Sequence, residues 1–324
     1  MSGWKKGESL KAGRQLLRFI REQQNVIKPH PSKCPWIEVP SEIVVPDWGA
    51  VATVEGLQPF VPLQIKVHKP RKIPKGGCPG MVAFSGGGYV LRDFDMAADL
   101  CHRWTALGGI AIDIGYRVAP EHPFPVPVQD CFEGLKWVAR NYQDLGLDPE
   151  TGFVVAGESV GADFALVASH LYIQEGCIPA ITGIYASAPW GVSKETVPEQ
   201  YKDRFFSFEQ CAKVPGPLDI ECYEYSVDYY KPDPKSPLAY PVAFPDHSYL
   251  PRTYFQVCGL DLTRDCGLIL EQVLKDAGVE TKLDIYPGLT HQVWVTYGRE
   301  AWARKGIRDS SAGLEWLLKK GESQ

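Results

Sequence analysis

The chain has 324 residues, of which 44% are hydrophobic, 23% charged and 11% aromatic. That balance excludes a disordered or collagen-like chain, and the length suffices for one large domain with an attached subdomain. A formal net charge of −5 and an isoelectric point near 5.9 argue against a nucleic-acid partner.

Residues 8–25 read as an amphipathic helix. Leu10, Leu16, Leu17, Phe19 and Ile20 form an apolar stripe, with Lys11, Arg14, Arg18 and Arg21 around it. The stretch 28–50 is rich in Pro and lacks a period, so it reads as irregular. Residues 41–55 and 61–68 alternate or carry β-branched residues, which predicts strands. The densest basic stretch is Lys66, His68, Lys69, Arg71, Lys72 and Lys75. Pro70, Pro74, Gly76 and Gly77 punctuate it, which predicts a solvated turn. A short buried strand follows over 81–84 and stops at Ser85-Gly86-Gly87-Gly88.

A helix is predicted over 95–107 and a strand over 110–114. The alternation continues with a helix over 126–143, a strand over 153–156, a helix over 160–175 and a strand over 181–186. Residues 190–250 break the rhythm, being rich in Pro, Tyr and acidic residues. It returns with a strand over 253–257, a helix over 265–277, a strand over 281–286 and a helix over 308–320. Strands alternating with helices predict an α/β fold with a mainly parallel central sheet and helices on both faces. The interruption reads as an insertion over one end of that sheet. Together with the N-terminal helix it would form a lid.

Residues 1–8 carry charge without an apolar core, and no run approaches the roughly 18 apolar residues of a membrane span. Neither an export signal nor a span is expected. The nine cysteines are odd in number, scattered and without a C-x-x-C pair. They read as reduced thiols of a cytoplasmic protein, with no structural zinc.

The sharpest motif is Gly157-Glu158-Ser159-Val160-Gly161, a G-x-S-x-G between a predicted strand and a predicted helix. A tight strand–turn–helix would raise the Ser159 hydroxyl above the carboxyl edge of the sheet, as a nucleophile requires. Such a serine needs a base, and the base needs an orienting carboxylate, in the chain order Ser, Asp or Glu, His. Of the later histidines, His170 falls inside the helix that follows Ser159, and His247 falls in the irregular insertion, where a surface position is the default. His291 follows the strand over 281–286, at the same sheet edge as Ser159, and is the expected base. Asp261 follows the strand over 253–257 and is the expected carboxylate. Asp265 competes, but in a first helical turn an acid is favoured by the helix dipole alone. The amides of Gly86, Gly87 and Gly88, with that of Val160, would form an oxyanion hole. A phosphate loop is disfavoured, because the last glycine of G-x-G-x-x-G is missing and no Walker motif occurs.

On these residues the chain resembles the α/β-hydrolase fold, and within it the hormone-sensitive-lipase-like carboxylesterases, over roughly residues 78–320. The resemblance is carried by the glycine loop at 85–88 and by Tyr116-Arg117-Val118-Ala119-Pro120-Glu121-His122-Pro123-Phe124-Pro125. It is carried also by the elbow at 157–161, by Asp261-Leu262-Thr263-Arg264-Asp265 and by Tyr286-Pro287-Gly288-Leu289-Thr290-His291. It implies the triad Ser159, Asp261 and His291, with a lid from residues 1–45 plus the insertion at about 190–250 of a hydrolase domain spanning 46–324. It implies a small-molecule ester substrate and no metal or organic cofactor. The sequence leaves a homodimer open. Two departures stand out. The family's glycine loop usually opens with a histidine that helps fix it, where this chain has Ser85. The elbow usually carries Asp, Ala and two glycines, where this chain has Glu158, Val160 and Ala162. The bulkier Val160 would narrow the acyl side.

Three functions compete on this reading. The first is hydrolysis of small or medium esters, with apolar or aromatic groups held by lid aromatics such as Trp190, Phe205, Phe206, Phe208, Tyr223, Tyr225, Tyr229 and Tyr230. The second is acyl transfer, cyclisation or condensation in the biosynthesis of a secondary metabolite. The third is a non-catalytic receptor, which the complete triad disfavours.

Overall fold

The computed structural model describes residues 36–46, 60–298 and 300–318. Short, mainly apolar runs become the central strands of one eight-stranded sheet, because a strand covered on both faces has no solvent side, while the strands toward its edges carry more polar residues. The strands are β1 (Trp36–Pro46), β2 (Phe60–Pro70), β3 (Gly80–Phe84), β4 (Ile110–Gly115), β5 (Phe153–Glu158), β6 (Gly183–Ser187), β7 (Thr253–Cys258) and β8 (Thr281–Tyr286). Their order across the sheet is β1-β2-β4-β3-β5-β6-β7-β8. β1 and β2 pair antiparallel, β2 pairs antiparallel with β4, and β3 to β8 run parallel.

Alternate side chains feed two different cores. Val82, Phe84, Ile112, Phe153 and Val155 point to one face, where they meet α2 (Val126–Arg140), α3 (Val160–Gln174) and α5 (Arg264–Asp276). Met81, Ala83, Ala111, Val154 and Ala156 point to the other, where Leu100, Cys101 and Trp104 of α1 (Ala98–Ala106) and Leu314 and Leu317 of α6 (Arg304–Leu318) cover them. The insertion holds short helical turns and one longer helix, α4 (Ile220–Tyr230), whose first turn is capped by Asp219 accepting from the Cys222 N–H at 2.8 Å.

Several expectations change here. The helix expected over 8–25 lies outside the described residues, as do residues 47–55 of the strand expected over 41–55. β1 begins at Trp36, so residues 36–40, read only as irregular, join residues 41–46 of the strand expected over 41–55 at the sheet edge. Pairing with β2, from Trp36 opposite Pro70 to Pro46 opposite Phe60, supplies the order that local periodicity does not announce. Lys66, His68 and Lys69 lie in β2 and not in the turn, which is formed by the residues after Pro70. His68 is buried, and burial lowers its pKa to about 4.

Asp113 on β4 is fully buried. Neither of its carboxylate oxygens has a hydrogen-bond partner among the described residues, and Arg92 Nη2 lies 3.9 Å from one of them. Desolvation raises its pKa to about 7 against that attraction. The folded state therefore holds a proton that the unfolded state releases near pH 4. The full contribution to stability exists below that pH and is lost as pH climbs through 7. Asp113→Asn cannot ionise, so it should gain stability over the parent between pH 4 and pH 7, at up to about 1.4 kcal/mol per pH unit, and level off above. Urea midpoints of both proteins at pH 5 and pH 8 measure this; an equal difference at both values would contradict it.

Candidate active site

The carboxyl ends of parallel strands share one edge, and ligand sites in such sheets form there. The glycine loop leaves β3, the elbow leaves β5, and the loops bearing Asp261 and His291 leave β7 and β8. The topology alone gathers four segments spread over two hundred residues of sequence.

The elbow follows from close packing. A Cβ at Gly157 would lie 1.9 Å from the Gly161 carbonyl oxygen, and one at Gly161 would lie 2.2 Å from that of Phe84. No other residue type lets β5 turn into α3 while pressed against the end of β3. Ser159 sits between them at φ 56° and ψ −129°, a backbone region costly for a side-chain-bearing residue. Its N–H donates to the Ser187 carbonyl at 2.8 Å, which helps hold that conformation.

The Ser159 Oγ lies 2.9 Å from His291 Nε2. His291 Nδ1 lies 2.6 Å from Asp261 Oδ2. An ionised carboxylate has no proton to give, so Nδ1 carries the hydrogen and donates, and Nε2 is left free to accept. The other Asp261 oxygen accepts from the Thr263 N–H at 2.9 Å and from its hydroxyl at 3.1 Å. Asp261 and His291 are buried, so these bonds work in a medium of low dielectric.

Gly86, Gly87 and Gly88 line a cleft together with Ser159 and His291. Val160 opens α3, so its N–H has no acceptor within the helix. Its side chain is buried in the core and does not narrow the cleft as expected. Tyr116 helps hold the glycine loop that opens with Ser85. Its buried hydroxyl donates to the Ser85 carbonyl at 2.7 Å and lies 3.3 Å from that of Gly86. Tyr116 opens the motif over 116–125, whose spacing does not announce this contact.

The remaining candidates separate. Asp265 accepts from the N–H groups of Phe206 and Ser207 at 2.8 and 2.6 Å and so ties the insertion to α5. His170 and His247 form a second pair, with His170 Nε2 3.1 Å from His247 Nδ1 and His170 Nδ1 2.8 Å from the Tyr249 hydroxyl. Both are buried, and burial lowers both pKa values, that of His170 to about 3. His247 is thus not the surface residue its surroundings in sequence suggest. Of the insertion's aromatics, Trp190 lines the cleft. Tyr223, Tyr230, Phe205 and Phe208 pack on the core instead, and Phe206 is largely exposed.

Two further acids are buried beside the site; Asp163 escaped the sequence reading, and Glu158 entered it only as a departure within the elbow. Asp163 on α3 accepts from the Trp190 N–H at 2.9 Å and from the Tyr89 hydroxyl at 3.2 Å, joining the insertion to the end of the glycine loop. Glu158 borders the cleft and pairs with Arg103 at 3.3 Å, and burial raises its pKa to about 7 despite that cation.

A sequence model of the alpha/beta hydrolase fold matches residues 81–295. The chain belongs to this family. Within the α/β hydrolases it is of the hormone-sensitive-lipase-like carboxylesterase type. It is 33% identical over 255 residues to an AB hydrolase superfamily protein of Schizosaccharomyces pombe, which covers 78% of this chain and 75% of that one. It is 32% identical over 241 residues to the versiconal hemiacetal acetate esterase of Dothistroma septosporum, covering 73% of each. Among solved α/β hydrolases, vibralactone cyclase superposes with a TM-score of 0.79 at 28% identity, covering 94% of this chain and 87% of that one. No helix among the described residues is long and apolar enough to cross a membrane.

Proposed function

We propose that the chain is a serine carboxylesterase acting on small or medium esters through an acyl-enzyme, with Ser159 as nucleophile, His291 as base and Asp261 as the orienting carboxylate. The observation that carries it is the unbroken relay from Ser159 Oγ to His291 Nε2 at 2.9 Å and from His291 Nδ1 to Asp261 Oδ2 at 2.6 Å. His291 Nε2 takes the Ser159 proton as Oγ adds to the ester carbonyl. Asp261 holds the tautomer and stabilises the imidazolium that results. The amides of Gly86, Gly87, Gly88 and Val160 receive the negative oxygen. The C–O bond to the alcohol then breaks, and the alcohol leaves with the proton from Nε2. Water repeats the sequence on the acyl-enzyme, releasing the acid and restoring Ser159. No step needs a metal or an organic cofactor.

Leu91, Met96, Trp190, Leu218 and Val295 make the cleft mainly apolar, which favours apolar or aromatic groups on the substrate. The insertion supplies Trp190 and Leu218, which supports its role as part of a lid. The N-terminal part of that lid rests on sequence alone. A cytoplasmic location belongs to the same proposal and rests on the scattered cysteines of the sequence.

Wild-type enzyme should turn over p-nitrophenyl acetate and butyrate faster than octanoate, and a fluorophosphonate should label Ser159. Labelling without turnover of any of the three would favour the second reading, acyl transfer or cyclisation in secondary metabolism. The likeness to vibralactone cyclase is what supports that reading. A protein that neither labels nor turns over any ester would sink the mechanism.

A further inference from the structure

The loop that carries His291 leaves β8 through exposed and half-buried residues, Pro287 to Thr290. Such a segment does not by itself hold an imidazole to a fraction of an ångström. Gln292, directly after His291, is buried and borders the cleft. Its backbone lies at φ 43° and ψ 35°, the left-handed region that a residue with a long side chain seldom occupies. Residues held there persist when their surroundings over-determine them. A side-chain contact does so here. The Gln292 side-chain Nε2 donates to the Ser187 carbonyl at 3.2 Å and lies 3.3 Å from the Ser187 hydroxyl.

Ser187 ends β6, opposite Glu158 of β5. Its carbonyl is also the acceptor for the Ser159 N–H at 2.8 Å. One oxygen therefore receives a bond from the nucleophile's own backbone and another from the residue next to the base. A carbonyl with two lone pairs accepts both.

We infer that Gln292 is a positioning residue, which fixes the His291 loop to the nucleophile elbow through the shared Ser187 carbonyl and thereby sets the Nε2–Oγ distance. The inference rests on the triad reading above. It requires a donor at the end of a side chain of this length. Glutamate keeps the length but presents two acceptors to the Ser187 oxygen when ionised, and alanine leaves that oxygen to Ser159 alone.

The test compares wild type, Gln292→Ala and Gln292→Glu on p-nitrophenyl butyrate. Fluorophosphonate labelling carried to completion counts competent sites, so kcat is expressed per site and misfolded protein does not enter. Both variants should lose about 10- to 100-fold in kcat, with KM within about twofold, as small misplacements of reacting groups do. The rate of labelling should fall in parallel, because it needs the same base. The ratio of Gln292→Glu to wild type should rise as pH falls from 8 to 5, since the introduced carboxyl regains a donor on protonation. A role in folding alone would lower the count of sites and leave that ratio flat. Normal kcat per site in both variants, beside a wild type that labels and turns over, overturns the inference and spares the triad. A wild type that does not label overturns both.

Discussion

Ser159→Ala should lower kcat for short p-nitrophenyl esters by about 10⁴- to 10⁶-fold, the range over which removing a triad nucleophile acts. The change removes one oxygen and leaves the elbow intact, because the positive φ is no harder for Ala than for Ser and the N–H still reaches the Ser187 carbonyl. Substrate affinity should stay near that of the parent, since the cleft walls are untouched. Fluorophosphonate labelling should vanish. Substrate binding to the variant, followed by tryptophan emission from Trp190 beside His291, separates lost chemistry from lost structure. Turnover within a hundredfold of wild type would mean that another group attacks the ester and that Ser159 only closes a turn.

Asp261→Asn is the second large effect, and its size follows from which atom faces which partner. The Thr263 N–H is a donor with no freedom to become anything else, and it points at Asp261 Oδ1. An asparagine at 261 must keep its carbonyl oxygen there and turn its NH₂ toward His291. Nδ1 must then accept, so the ring proton moves to Nε2. That nitrogen can no longer take the Ser159 proton. A loss of about 10⁴-fold in kcat is expected, as for a triad histidine held in the wrong tautomer. The loss should ease at high pH, where the serine proton can leave to hydroxide. Little change in the variant would indicate that His291 is oriented by something else, with the Thr263 bonds to Asp261 purely structural.

The three residues of the Ser159–His291–Asp261 relay were legible in the sequence because their spacing carries backbone geometry. Gly157 and Gly161 flank Ser159 since the chain doubles back there with carbonyl oxygens about 2 Å from where a Cβ would stand. Asp261 and His291 each follow an apolar strand, and parallel strands end at one edge. Asp261 over Asp265 could be chosen from the same reasoning, and the structure gives Asp265 a different task, holding Phe206 and Ser207.

The residues that bond to the segments around the relay were not legible. Tyr116, Asp163, Ser187 and Gln292 act through hydrogen bonds to segments far off in sequence. A buried hydroxyl, carboxylate or amide looks in sequence like one in solvent. The first five residues of β1 escaped the reading for a related reason, since an edge strand takes its order from its partner and not only from its own period. His247 reads as a surface residue in an irregular segment until α3 brings His170 against it.

By itself, then, the sequence of this protein determined the alternation of strands and helices, the elbow, and the three residues of the relay. Local sterics and burial of apolar runs act over a few residues and leave their mark in order and spacing. Tertiary structure alone decided what steadies the relay: Tyr116 under the glycine loop, and the Ser187 carbonyl between Ser159 and Gln292. Such bonds join groups brought together by chain crossovers, and their formation depends on distances of a few tenths of an ångström that no local pattern encodes.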